Sequence, residues 1–275
     1  MLKRILIPLE EYDYSKAAIN YGIHLASCNE CELVGISIID IPSIEKSIGP
    51  VPVGGTFYAQ KEEDLRKAEE KKLAEKLIAE FKAMCQAEKV PYHVKELQGN
   101  PEEIIIDESK YHDLVIMGWK TSFRYGEGED KHLQHKLISQ GISPVMLIPK
   151  TYQEIKKILL CYDGKNQSSK AIRQFIRFYI CKDKQFILLN INDDPEEGDK
   201  LLTKMGEYLT LWEIPYEKVI REGHPREAIE AFVKEKDIDL LVLGAHGHQG
   251  IASFLFGSTT QKLIKDADRP LFIYH

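Results

Sequence analysis

The chain reads twice, and that duplication limits what it can fold into more than any other feature. Arg4-Ile5-Leu6-Ile7-Pro8-Leu9-Glu10 returns as Lys157-Ile158-Leu159-Leu160-Cys161-Tyr162-Asp163. Each copy is soon followed by a helical opening, Ser15-Lys16-Ala17-Ala18-Ile19 or Ser169-Lys170-Ala171-Ile172. Gly99-Asn100-Pro101-Glu102-Glu103 matches Gly223-His224-Pro225-Arg226-Glu227, and Asp113-Leu114-Val115-Ile116-Met117-Gly118 matches Asp239-Leu240-Leu241-Val242-Leu243-Gly244. The last pair is Pro144-Val145-Met146-Leu147-Ile148 and Pro270-Leu271-Phe272-Ile273-Tyr274. The repeat makes the architecture two copies of one unit in tandem.

Within each copy, short Ile/Leu/Val runs alternate with longer amphipathic segments. Unbroken apolar runs are the mark of strands buried on both faces, as parallel sheets are. The pattern therefore predicts an α/β protein of two tandem units, each a mainly parallel five-stranded sheet with helices on both faces. The units are expected at residues 1–150 and 154–275, joined by a short linker around Lys150-Thr151-Tyr152-Gln153-Glu154. Residues 61–90 carry the clearest helical spacing, with Leu65, Ala68, Leu73, Leu77, Ile78 and Phe81 as the apolar positions. Ile41 to Gln60 holds Pro42, Gly49, Pro50, Pro52, Gly54 and Gly55, cannot be regular throughout, and reads as a surface loop.

The two copies differ where chemistry is expected. In the second, the run Ile238–Leu243 empties into Gly244-Ala245-His246-Gly247, followed by Gly257-Ser258-Thr259. Glycines let backbone N–H groups approach an anion, a following helix adds its positive end, and Ser258 and Thr259 add hydroxyls. The first copy keeps Gly118 but has Thr121, Arg124, Lys131 and His132 where the second has Gly247, Gly250, Gly257 and Ser258. Glu127, Glu129 and Asp130 crowd the same loop with negative charge, partly offset by Lys120, Arg124 and Lys131. The first copy is therefore expected to be degenerate. Neither Gly-x4-Gly-Lys-Ser/Thr nor a strand-led Gly-x-Gly-x-x-Gly occurs.

These residues resemble a tandem universal stress protein. Gly244, Gly247, Gly257 and Ser258 fit that family's pattern of Gly, two residues, Gly, nine residues, Gly, then Ser or Thr. The first strand ending in an acidic residue, the Gly-x-Pro turn and the Pro-led final strand extend the resemblance over both halves. It implies a sheet of the adenine-nucleotide alpha hydrolase type, with ATP, ADP or AMP, and a divalent ion such as Mg, at the carboxyl ends of the strands. On that model Asp163 lies near adenine and ribose, and backbone at Ile191 or Asn192 lines the adenine pocket. Gly244, Gly247, Gly257, Ser258 and Thr259 contact ribose and phosphates. Cys161 departs from the family's usual Pro-x-Asp strand end. The resemblance also implies pairing of the final strands, here within one chain, while a homodimer of such chains stays open.

Other readings are weaker. Asp163-Gly164 can form a simple turn, with Asn166, Ser168 and Ser169 as caps. Slow hydrolysis of ATP, or phosphate transfer to Ser258, Thr259 or Thr260, would use the same loop, but no general base or activated nucleophile is evident. Cys28-Asn29-Glu30-Cys31 follows a helix instead of opening one and reads as two ordinary thiols near a turn. A net charge of −6 disfavours nucleic acid as a partner. No run is long enough to cross a membrane, and five cysteines without a framework suit a cytoplasmic protein.

Overall fold

The computed structural model describes residues 2–10, 13–51, 54–119, 132–178, 183–245 and 269–274. They divide into two compact units, Leu2–Ser143 and Pro144–His275.

In the first unit, β1 (Arg4–Pro8), α1 (Asp13–Asn29) and β2 (Glu32–Asp40) are followed by α2 (Ile41–Ile48), α3 (Thr56–Ala87) and β3 (Tyr92–Gly99). Then come α4 (Pro101–Ser109), β4 (Leu114–Gly118) and α5 (His132–Gln140). The strand order is β3-β2-β1-β4, and β1 pairs in parallel with both neighbours, Leu6 lying opposite Val34 on one side and Val115 on the other. Ile5, Leu6 and Ile7 are consecutive and all fully buried, so β1 is covered on both faces.

The second unit opens with β5 (Val145–Ile148) and continues with β6 (Lys157–Cys161), α6 (Asn166–Phe178), β7 (Gln185–Ile191) and α7 (Pro195–Leu211). It ends with β8 (Tyr216–Arg221), α8 (Pro225–Lys236), β9 (Leu240–Gly244) and β10 (Leu271–Tyr274). Its strand order is β5-β10-β9-β6-β7-β8. All neighbours are parallel except β5 and β10, which run antiparallel with Leu271 opposite Leu147 and Ile273 opposite Val145. The final strands of the two repeats thus pair within one chain, and β10 is left with no bare edge.

The repeated Asp-Leu signal marks the start of the sheet, away from the glycine loops. Asp113 Oδ2 accepts hydrogen bonds from the backbone N–H groups of Lys3 and Arg4 at 2.8 and 3.0 Å. Asp239 Oδ2 does the same for Lys156 and Lys157 at 2.8 and 2.7 Å. In each repeat the carboxylate satisfies the N–H groups at the entry of the first strand, β1 or β6.

Two expectations need correction. The expected loop after β2 contains α2, because Asp40 caps it by accepting from Ser43 N at 3.0 Å and Pro42 sits in its first turn, where no N–H is needed. The helix stops at Gly49, whose φ of +72° is in the left-handed region. The long helix starts at Thr56, and its buried positions are Ala74, Ile78, Phe81 and Cys85, while Leu65 is 54% exposed. Its N-terminal half keeps its apolar residues outside the core.

His112, between α4 and β4, is buried and donates from Nδ1 to Glu108 O at 2.6 Å, leaving Nε2 buried without a partner. Burial lowers its pKa below the ordinary 6.5, with Arg4 and Lys95 acting the same way against the pull of Glu108. A depressed histidine favours the neutral form when folded, so its contribution is intact above 6.5 and is lost as pH falls through and below that value. Thermal midpoints taken from pH 7.5 down to 5.5 are expected to fall more steeply for the wild type than for His112→Gln; parallel curves would refute this. Among the described residues no helix is long and apolar enough to cross a membrane.

Candidate functional site

The order of strands locates a crevice in the second unit. From β6 the chain moves outward through β7 to β8, then returns to place β9 on the other side of β6. Connections leave the adjacent carboxyl ends of β6 and β9 in opposite directions, and such a switch point opens a cleft above the sheet. Asp163 follows β6 and Gly244 ends β9, so two of the sequence-predicted residues flank that point.

The backbone there is tightly built. Tyr162 N–H donates to Leu189 O at 2.9 Å, and Tyr162 O accepts from Asn190 Nδ2 at 2.7 Å. The chain then turns at Gly164, whose φ is +79° and whose Cβ, if present, would lie 2.8 Å from Leu201 Cδ2. Asp163 Oδ1 accepts from Lys165 N at 3.0 Å and from Ser168 Oγ at 2.5 Å, with Lys165 Nζ 3.7 Å from Oδ2. Asp163 therefore forms the turn that was its alternative reading, while its side chain remains 36% exposed at the mouth of the crevice.

Gly244 is required by packing. A Cβ on it would sit 2.3 Å from Ser168 N and 2.4 Å from Gln167 C, both backbone atoms at the start of α6. Ser168 thus joins Asp163 and Gly244 through its side chain and its backbone. Ile191 ends β7, one strand further out, half-buried and opposite Arg221. Gly247, Gly257, Ser258 and Thr259 lie outside the described residues, as do Thr121, Arg124 and Lys131 of the first repeat.

The corresponding place in the first unit is filled differently. Glu10 follows β1 and is only 4% exposed, with its N–H donating to Ser15 Oγ at 2.6 Å. Trp119, buried, stands where the second repeat has Ala245. Buried Gln134 donates to the carbonyls of Gly118 and Trp119 at 3.4 and 3.2 Å. Trp119 and Gln134 are thus both buried beside the end of β4, and the position matching Trp119 in the second repeat carries only the methyl group of Ala245.

Sequence reasoning missed Asn190. Its signal was a lone amide inside Phe186-Ile187-Leu188-Leu189-Asn190-Ile191, a run that buries a polar group only when something bonds it. Among the described residues the free cysteines are buried and poor nucleophiles. Burial, and then the charge of Asp163, pushes Cys161 up to about 12, burial alone takes Cys85 to about 12, and burial followed by Asp113 takes Cys31 to about 11. Cys28 is disulfide-bonded, and not to Cys31, which is free; this corrects the expectation of two ordinary thiols.

Comparison with known proteins agrees with this architecture. The model of the universal stress protein family matches residues 1–129 and again 154–275. A universal stress protein of Synechocystis sp. is 23% identical over 294 aligned positions, covering 99% of this chain and 100% of the relative. One from Methanocaldococcus jannaschii is 32% identical over 137 positions, covering 43% of this chain and 81% of its own. The crystal structure of a universal stress protein from Archaeoglobus fulgidus superposes with a TM-score of 0.74 at 17% identity, covering 98% of this chain and 97% of that one, and so shares the fold. With two family matches spanning most of its length and both repeats built on the same sheet, the chain belongs to the universal stress protein family.

Proposed function

We propose that this chain is a stress-response regulator whose second repeat, residues 154–275, holds one adenine nucleotide with a divalent ion such as Mg. The first repeat, residues 1–150, lacks a working site and serves as its pairing scaffold. The observation that carries this reading is the placement of Asp163 and Gly244 on either side of the second unit's switch point, where α/β sheets take their ligands. The half-exposed carboxylate of Asp163 suits ribose hydroxyls. The loop that begins at Gly244 carries the glycine spacing and hydroxyls that suit a phosphate chain. Trp119 and buried Glu10 at the matching place in the first unit favour one ligand per chain over two.

The reading is tested by denaturing the purified protein, identifying released nucleotide, and titrating the emptied protein with Mg-ATP. One adenine nucleotide per chain is expected. Gly247→Glu, which sets a carboxylate against the phosphates, is expected to weaken Mg-ATP by roughly a hundredfold or more, about 2.7 kcal/mol. Two nucleotides per chain would refute the degenerate first repeat. No nucleotide and no titration response would refute the site itself.

A further inference from the structure

We infer that Asn190 is a positioning residue for the adenosine end of the proposed site, fixing the wall between Asp163 and Ile191. The inference rests on the nucleotide reading above and adds the residue that sets its geometry. The regular β6–β7 ladder ends with Cys161 opposite Leu189. One residue later, both backbone groups of Tyr162 are still held from β7, the N–H by Leu189 O at 2.9 Å and the carbonyl by Asn190 Nδ2 at 2.7 Å. A side-chain amide thus adds the last rung, and Asp163 turns away immediately after it. Asp163 and Ile191 are the sequence neighbours of the two ends of this bond.

Asn190 is held in place from its other side. It is 2% exposed, and its Oδ1 is buried without a partner, a cost a strand accepts only for a compensating contact. The α7 helix approaches it at Gly198, where a Cβ would lie 3.0 Å from Oδ1 and 3.3 Å from Ile220 Cδ1. With α7 close to Oδ1, the amide nitrogen donates across the sheet to Tyr162 O. In the first unit the same rung is present, Leu9 N–H to Ile36 O at 2.8 Å, but the next residue of β2 is Ser37, whose hydroxyl reaches less far than a carboxamide. The amide rung therefore belongs to the repeat whose acidic residue is partly exposed, and not to the repeat whose acidic residue is buried.

The test titrates AMP and Mg-ATP into Asn190→Leu and Asn190→Asp, which keep the shape of the side chain but remove the donor. Both are expected to lose about tenfold for AMP and for Mg-ATP alike, leaving the ratio between the two ligands at its wild-type value. Gly247→Glu is expected to change that ratio, because it acts at the phosphates. Gly198→Ala, which crowds Oδ1 without touching the donor, is expected to weaken AMP in the same direction by a smaller factor, and it serves if the Asn190 variants do not fold. Leu209→Ala, a buried truncation elsewhere on α7, lowers the thermal midpoint and is expected to leave AMP affinity unchanged. Folded Asn190 variants with wild-type AMP affinity would overturn this inference and leave the nucleotide site standing. A wild type that binds neither ligand would overturn both.

Discussion

Adding one methyl group at Gly244 is expected to destabilise the second unit by about 3 kcal/mol, the upper end for overpacking. The reason is what the methyl would strike. Its nearest atoms, Ser168 N at 2.3 Å, Gln167 C at 2.4 Å and Gln167 O at 2.8 Å, all belong to the backbone at the start of α6. A side chain can rotate aside, whereas a helix end must move as a body and take with it the Ser168–Asp163 bond. Gly244→Ala should therefore lower the urea midpoint and weaken nucleotide binding together. Gly206→Ala is the internal comparison, since its closest contact, Tyr216 Oη, is the far end of a side chain on the edge strand β8. If Gly244→Ala were as stable as the wild type, the close approach of β9 to α6 would be wrong.

The second large effect is expected in the first unit. Phe81, fully buried, is where α3 meets the sheet. Its ring lies over Gly35 of β2, so close that a Cβ there would be 2.8 Å from Cε1, and it meets Tyr92 of β3 edge-on with centroids 5.9 Å apart. Phe81→Ala removes the ring from a slot shaped by a glycine, which no neighbouring side chain can refill. The expected loss is about 3–5 kcal/mol by urea denaturation. A loss under about 1 kcal/mol would mean that the slot collapses, and that Gly35 is not there to admit the ring.

The strands were the legible part of this chain, and the reason is physical. A strand covered on both faces must be apolar at every position, so Ile5-Leu6-Ile7 and Leu240-Leu241-Val242 declare themselves without any context. Helices that are only partly covered declare themselves less well. The spacing of Leu65 and Phe81 looks alike in sequence, yet one is exposed and the other buried, because how far α3 extends past the sheet is a tertiary matter. The short α2 was hidden for the opposite reason: its Pro and flanking Gly residues read as loop until Asp40 is seen capping it.

The candidate site divides along the same line. Gly244 was legible as a glycine with a purpose, though the purpose the structure displays is contact with α6 and the one read from spacing was approach to phosphate. Both need the absence of a Cβ, and a sequence cannot separate them. Asp163 likewise closes a turn with its carboxylate while its side chain stays partly exposed. Asn190 was passed over because an amide in an apolar run gives no direction until its partner, Tyr162 O, is located across the sheet.

The pairing of β5 with β10 has a consequence for anyone dividing the chain. The repeat and the compact body do not share a border: the last strand of the first repeat is the first strand of the second body. A gene cut at residue 154, where the homology restarts, would deliver a half-molecule whose β10 has lost its antiparallel neighbour and offers Leu271, Phe272 and Ile273 on a naked margin. A cut before Pro144 keeps that margin sealed. The line of duplication and the line between compact bodies thus run through this polypeptide at different residues.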